Sequence, residues 1–114
     1  MIPFKEILCN RKIYSISQDK DNNIIDDDLG LSSYQDRIIY IRSVPFSEDE
    51  IQTLIHEYSH IYLWEEGKIK LERNEEMVNL MTNMIYRFIA DNPEIIKFIM
   101  EKNYDQHKKD SSQI

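Results

Sequence analysis

Residues 47–67 read SEDEIQTLIHEYSHIYLWEEG, and the rest of the chain is parsed outward from them. Ser47 with Glu50 three positions on is a capping-box pattern, and Phe46 with Ile51 has the spacing of a hydrophobic staple. Glu48, Asp49 and Glu50 place negative charge at the positive end of the helix dipole. Ile51, Leu54, Ile55, Tyr58, Ile61 and Tyr62 recur at helical spacing and form the expected apolar face. Pro45 lies just outside, and Gly67 supplies a C-terminal stop. The pattern predicts a helix over residues 47–66.

Before this helix the texture is β-rich. Residues 12–18 read as a strand, with Ile13, Tyr14 and Ile16 supplying β-branched and aromatic bulk. A short helical turn is expected over residues 3–8. Residues 19–28 are polar around Asn22 and Asn23 and read as an exposed loop. Two runs, 29–34 and 37–42, join at Gln35 and Asp36 as a hairpin, and Ile38-Ile39-Tyr40-Ile41 is the strongest strand signal in the chain.

After the helix, Asn74 caps a second one that runs to about Ala90, with Met77, Leu80, Met81, Met84, Ile85 and Phe88 as its expected buried stripe. Asn92 and Pro93 open a third, to about Lys102, with Ile95, Ile96, Phe98 and Ile99 apolar. Residues 104–114 are polar and expected to fray. The fold class that follows is α+β: a small, mostly antiparallel sheet of about three strands packed on two or three helices. A single domain is expected over residues 1–104, with a polar tail over 105–114.

Composition bounds the rest. A chain of 114 residues has room for one domain. The 41% hydrophobic content excludes a wholly disordered chain, and one cysteine, Cys9, excludes a disulfide scaffold. Fourteen basic against 21 acidic residues give a formal charge of −7, a poor match for phosphate backbones or anionic membranes. No apolar run approaches the ~18 residues of a membrane span. Lys5 and Glu6 interrupt the stretch where a signal peptide needs an apolar core, so the expected location is cytoplasmic. Nothing in the composition sets the oligomeric state.

Inside the first long helix stands His56-Glu57-Tyr58-Ser59-His60, an H-E-x-x-H pattern. Positions i and i+4 share one helix face, so both imidazoles can reach one metal ion. The glutamate beside the first histidine is then placed to take a proton from water activated by that metal. Chance occurrence in a random chain of this length is on the order of 0.3%. The third histidine, His107, reads as a solvated tail residue.

A catalytic zinc site takes a third protein ligand and leaves one position open. Glu75 and Glu76 open the second helix, and antiparallel packing would bring them toward the histidines. Glu75 shares a polar stripe with Asn79, Thr82 and Tyr86, which makes it the first choice and Glu76 the rival. Asn79, one turn on, is placed to orient a ligand histidine.

The hairpin strand RIIYIRS, then LIHEYSHIYLW, then NEEMVNLMTNMI together resemble the gluzincin-type zinc metallopeptidases, most of all the minimal ImmA/IrrE-like and phage-encoded members. The resemblance covers about residues 29–92. In that family a strand precedes the H-E-x-x-H helix, and the next helix begins E-x-x-A-N or a close variant. It implies Glu75 as zinc ligand and Asn79 in the supporting role, with Val78 where Ala is usual. It also implies that an edge strand beside the metal helix pairs with an extended peptide, and residues 37–43 are the candidate. Their continuous apolar run fits an interior strand as well.

The expected function is therefore a zinc-dependent peptidase. His56, His60 and Glu75 (or Glu76) hold Zn2+, Glu57 is the base, and a protein or peptide is the substrate. The resemblance suggests cleavage of a cytoplasmic regulator in a phage or mobile-element setting. The alternative is a binding protein on the same scaffold that docks to a host or regulatory protein without proteolysis.

Overall fold

The computed structural model describes residues 1–18, 29–44 and 47–112, with side chains described as far as residue 103. The elements are β1 (Glu6–Cys9), β2 (Lys12–Ser17), β3 (Gly30–Ser33), β4 (Ile38–Ile41), α1 (Ser47–Glu65), α2 (Ile69–Glu72), α3 (Glu75–Asp91) and α4 (Pro93–Ser112). The fold is α+β: a four-stranded mixed sheet packed with helices. The loop expected over residues 19–28, the staple through Phe46, the position of Pro45 and the side chain of His107 lie outside the described residues.

The expected helical turn over residues 3–8 gives way to β1. Ile7 and Leu8 face Tyr14 and Ile13 across an antiparallel pair that closes at Cys9 and Lys12. The two loop residues, Asn10 and Arg11, have φ of 49° and 67°, the double left-handed geometry that suits a hairpin's twist. Neither is glycine, so the usual turn signal is missing from the sequence.

The hairpin of β3 and β4 forms as expected, with Ser33 opposite Ile38 across residues 34–37. Its second strand, not its first, lies beside β2, giving the order β1-β2-β4-β3. The β2–β4 pair is therefore parallel, with Ser15 opposite Ile38. This corrects two expectations: the sheet is mixed, and the candidate pairing strand over residues 37–43 is interior. The free edge on that side is β3.

Along β4, Ile39 and Ile41 turn inward and are fully buried, while Ile38 and Tyr40 sit on the other face, the period of two expected of a strand. With Cys9, Tyr14 and Ile61 they form the core between the sheet and α1. The end of α1 is tied to β2 by Lys12 Nζ, 2.7 Å from Glu65 Oε2, and by the Tyr14 hydroxyl, which donates to Glu65 Oε1.

The start of α1 departs from the capping box. Glu50 is buried, and its carboxylate pairs with the Met1 ammonium at 3.1 Å and accepts from Gln18 Nε2. The sheet covers only the flank of α1 that carries Ile61, so Ile51 and Tyr62 on the expected apolar face are exposed, while Leu63, far round the helix from Ile61, is buried. Gly67 ends the helix in the left-handed region, φ +73°, as expected.

In α3, Asn74 caps as expected, its Oδ1 accepting from Met77 N at 3.1 Å. The buried face differs, because Val78 and Thr82 pack inward while Leu80, Met84 and Phe88 stay exposed. The apolar stripe lies roughly a third of the way round the helix from the face that meets α1. Asn92 holds the cap position of α4 as expected, its carbonyl accepting from Ile96 N at 3.1 Å, while its side chain turns back and Nδ2 donates to Phe88 O at 3.0 Å. With no proline or glycine after Pro93, α4 runs through the expected fraying point to Ser112, and among the described residues it packs against α3. No helix among the described residues is long and apolar enough to cross a membrane.

Candidate metal centre

His56 and His60 stand four residues apart on the face of α1 that looks across to α3. Their rings meet edge to face with centroids 4.9 Å apart. From α3, Glu75 offers one oxygen to each: Oε2 lies 3.3 Å from His56 Nε2 and Oε1 lies 2.9 Å from His60 Nε2. The rival, Glu76, is exposed and does not line the cleft. Val78 and Thr82 set this approach, since their burial against α1 fixes which side of α3 the preceding turn presents.

The far nitrogen of His60 is held by a residue that the sequence pattern did not single out for that role. Nδ1 lies 3.1 Å from Glu72 Oε1, the same oxygen to which the Tyr34 hydroxyl donates. Glu72 sits on the single turn of α2, which Gly67 allows to fold back under α1. Burial and the Glu72 carboxylate push the Tyr34 hydroxyl far up, so it remains a donor. Tyr34 also stacks on Trp64 at 4.9 Å and 4°, locking that end of the cleft. Asn79, expected in the orienting role, lines the cleft but makes no hydrogen bond to either imidazole among the described residues.

His60 is thus bracketed by carboxylates on both ring nitrogens. A neutral imidazole has one N–H to give. If Nδ1–H goes to Glu72, Nε2 presents a lone pair toward Glu75, and two acceptors then face each other across 2.9 Å. A shared cation, or a second proton on the ring, resolves that opposition. Two imidazole nitrogens and one carboxylate are a donor set that suits zinc. The donor atoms of His56, Glu57 and His60 also lie within 4.8 Å of one another, so these three form a group that could hold a metal ion.

Glu57 is buried beside them. Burial pushes its carboxyl up from the ordinary range, while the hydrogen bond from Ser32 and the two imidazoles pull it down. Ser32 Oγ donates to its Oε1 at 2.8 Å. This contact depends on Gly30, because a Cβ there would come within 2.7 Å of Thr53 Cγ2 and 3.1 Å of Glu57 Cγ. Only a residue without a side chain lets the start of β3 press this closely on α1.

These groups open into a cleft of about 1070 Å³. Its walls are β3 on one side and α1 and α3 on the other, and Tyr34 is the only tyrosine among its lining residues. Tyr58, Tyr62, Tyr86 and Trp64 do not line it, although Trp64 supports Tyr34 from behind. Compared with known protein families, curated proteins and solved structures, the chain matches none.

Proposed function

We propose that this chain is a zinc-dependent metallopeptidase that hydrolyses a peptide bond in an extended segment laid along β3. One observation carries the proposal: Glu75 turns an oxygen toward Nε2 of both His56 and His60 while Glu57, the buried carboxylate of the same motif, lies beside them at the cleft floor.

His56, His60 and Glu75 would hold the zinc. A zinc ion bound there supplies Lewis acidity, acidifying water and polarising a carbonyl oxygen. Glu57 takes the proton of the attacking water and passes it to the departing amine, as a general base and then a general acid. Its raised carboxyl suits the first of these tasks, since a pKa nearer neutrality makes the carboxylate a stronger base toward water and lets the proton stay on it until the amine departs. Ser32 keeps the carboxylate oriented, and Glu72 keeps Nε2 of His60 turned to the metal side.

The strand β3 gives the substrate its track. Among the described residues it is paired on one side only, with β4, so its other edge offers backbone groups to an incoming strand. Leu29, Gly30, Leu31 and Ser32 all line the cleft. The resemblance to ImmA/IrrE-like enzymes adds a substrate class, a cytoplasmic regulator in a phage or mobile-element setting.

The test is zinc content and peptide cleavage for the wild-type chain beside Glu57→Gln. About one zinc per chain in both, with cleavage only in the wild type, is the expected result. A chain that takes up no zinc removes the proposal. A zinc-loaded chain whose Glu57→Gln variant keeps full biological activity points instead to docking without proteolysis.

A further inference from the structure

Asp49, Thr53, His56 and His60 lie at positions i, i+4, i+7 and i+11 of α1, and all four line the cleft. At 100° per residue they share one meridian of the helix. Asp49 therefore stands on the line of the two imidazoles, roughly 10 Å before His56 at 1.5 Å per residue. The strand β3 runs beside α1 in the same direction. Gly30 abuts Thr53 and Glu57, Ser32 reaches Glu57, and Tyr34 stacks on Trp64.

The three acids in the first turn of α1 differ in what they do. Glu50 is buried and paired with Met1 and Gln18. Glu48 does not line the cleft. Asp49 does, and its carboxylate has no hydrogen-bond or ion-pair partner among the described residues; only its backbone carbonyl is engaged, by Thr53 Oγ1 at 2.8 Å. The other acids of the cleft are occupied: Glu57 by Ser32, Glu72 by Tyr34 and His60, and Glu75 by both imidazoles. No lysine or arginine is among the described residues that line it.

We infer that the cleft selects a cationic peptide segment and that Asp49 is the specificity-determining carboxylate, pairing with a lysine or arginine side chain of the substrate. The inference rests on the peptidase reading and names its substrate class. An extended strand advances ~3.3 Å per residue, so the gap from the imidazoles to Asp49 spans about three residues. The basic residue belongs two or three positions from the scissile bond. The bound ion offsets charge on Glu75 and Glu57 but leaves Asp49 untouched, and an acidic cleft concentrates cationic segments from solution.

The experiment has two arms. In the first, the zinc-loaded wild type and its Asp49→Asn and Asp49→Lys variants cleave a peptide library randomised on both sides of the bond, read by mass spectrometry. The expected result is about fivefold enrichment of lysine and arginine at one position two or three residues from the bond, lost in Asp49→Asn and reversed toward acids in Asp49→Lys. Cleavage with no such enrichment, or with enrichment unchanged in Asp49→Asn, overturns the inference and leaves the peptidase reading standing.

In the second arm, a fluorescent lysine-containing peptide and its glutamate counterpart are titrated into the zinc-loaded chain by anisotropy. Tighter binding of the lysine peptide, weakened in Asp49→Asn and by salt, supports the cleft's preference even where nothing is cleaved, in which case the peptidase reading alone falls. Equal binding of the two peptides overturns the inference.

Discussion

The hydroxyl of Ser32 lies 2.8 Å from Oε1 of Glu57, so the strand that borders the cleft also fixes the carboxylate at its floor. A hydrogen bond to the charged form favours that form. Removing it in Ser32→Ala raises the Glu57 pKa further above the ordinary range. The acidic limb of the pH profile of kcat/KM then moves to higher pH, because a larger share of the base is protonated. A carboxyl-carbon NMR titration of Glu57 reads the same shift without turnover. An unmoved titration would show that the contact does not tune Glu57.

Glu57→Gln separates stability from activity. The buried carboxylate has a raised pKa, so its cost to the folded state is absent below the unfolded value near ~4.3 and grows as pH rises above it. In chelator at pH 7 the variant should melt roughly 2–6 °C higher than wild type, and the gap should close toward pH 4. Peptidase turnover should fall ~10²- to 10⁴-fold. A variant that melts lower at pH 7 would mean that the ionised group stabilises the fold.

Glu72→Gln tests the support of His60. The amide oxygen can still accept from both Tyr34 and His60, which share one oxygen of Glu72, but it carries no charge, so both bonds weaken. Zinc affinity, measured by competition with a chromophoric chelator, should drop about 10- to 100-fold, with the sheet intact by circular dichroism. Asn79→Ala, whose side chain bonds neither imidazole, should lose much less.

Glu65 carries an acid-stability signature. Its hydrogen bonds from Lys12 and Tyr14 hold its carboxyl below the ordinary range. A lowered folded-state pKa adds stability above the unfolded value, and that stability is lost as pH falls through the folded value. Glu65→Gln should cost about 1–2 kcal/mol at pH 7 and almost nothing in strong acid, as read from urea midpoints across pH. A constant difference across that range would assign the effect to packing.

Arg11 sits in the left-handed region at φ 67° in the β1–β2 turn. A glycine there relieves strain of about 1–2 kcal/mol, less the entropy that glycine restores to the unfolded chain. Arg11→Gly should therefore raise stability by roughly 0.5–1 kcal/mol with the site unchanged.

The H-E-x-x-H helix was legible because its signals are local: two histidines one turn apart, acids in the first turn and Gly67 at the end. The hairpin of β3 and β4 was legible for the same reason. The strand β1 was not, because Asn10 and Arg11 adopt a turn that sequence normally advertises with glycine. The partner of His60 was hidden too. Glu72 reaches Nδ1 only because one helical turn folds back after Gly67, a tertiary event with no periodic trace. The burial of α3 misled in the opposite direction. Its strongest apolar stripe, through Leu80, Met84 and Phe88, remains exposed, and a quieter face with Val78 and Thr82 meets α1.

His56, His60, Glu72 and Glu75 fall within twenty consecutive residues, 56–75, while the whole sheet precedes them in the chain. The loops that an ion would close are short, and short closures cost little chain entropy. If the site holds an ion as proposed, the helices from α1 to α3 would give it up and regain it as a local exchange, with the sheet acting as a standing platform. Depletion of the ion would idle the molecule without dismantling it, and resupply would restart it without refolding.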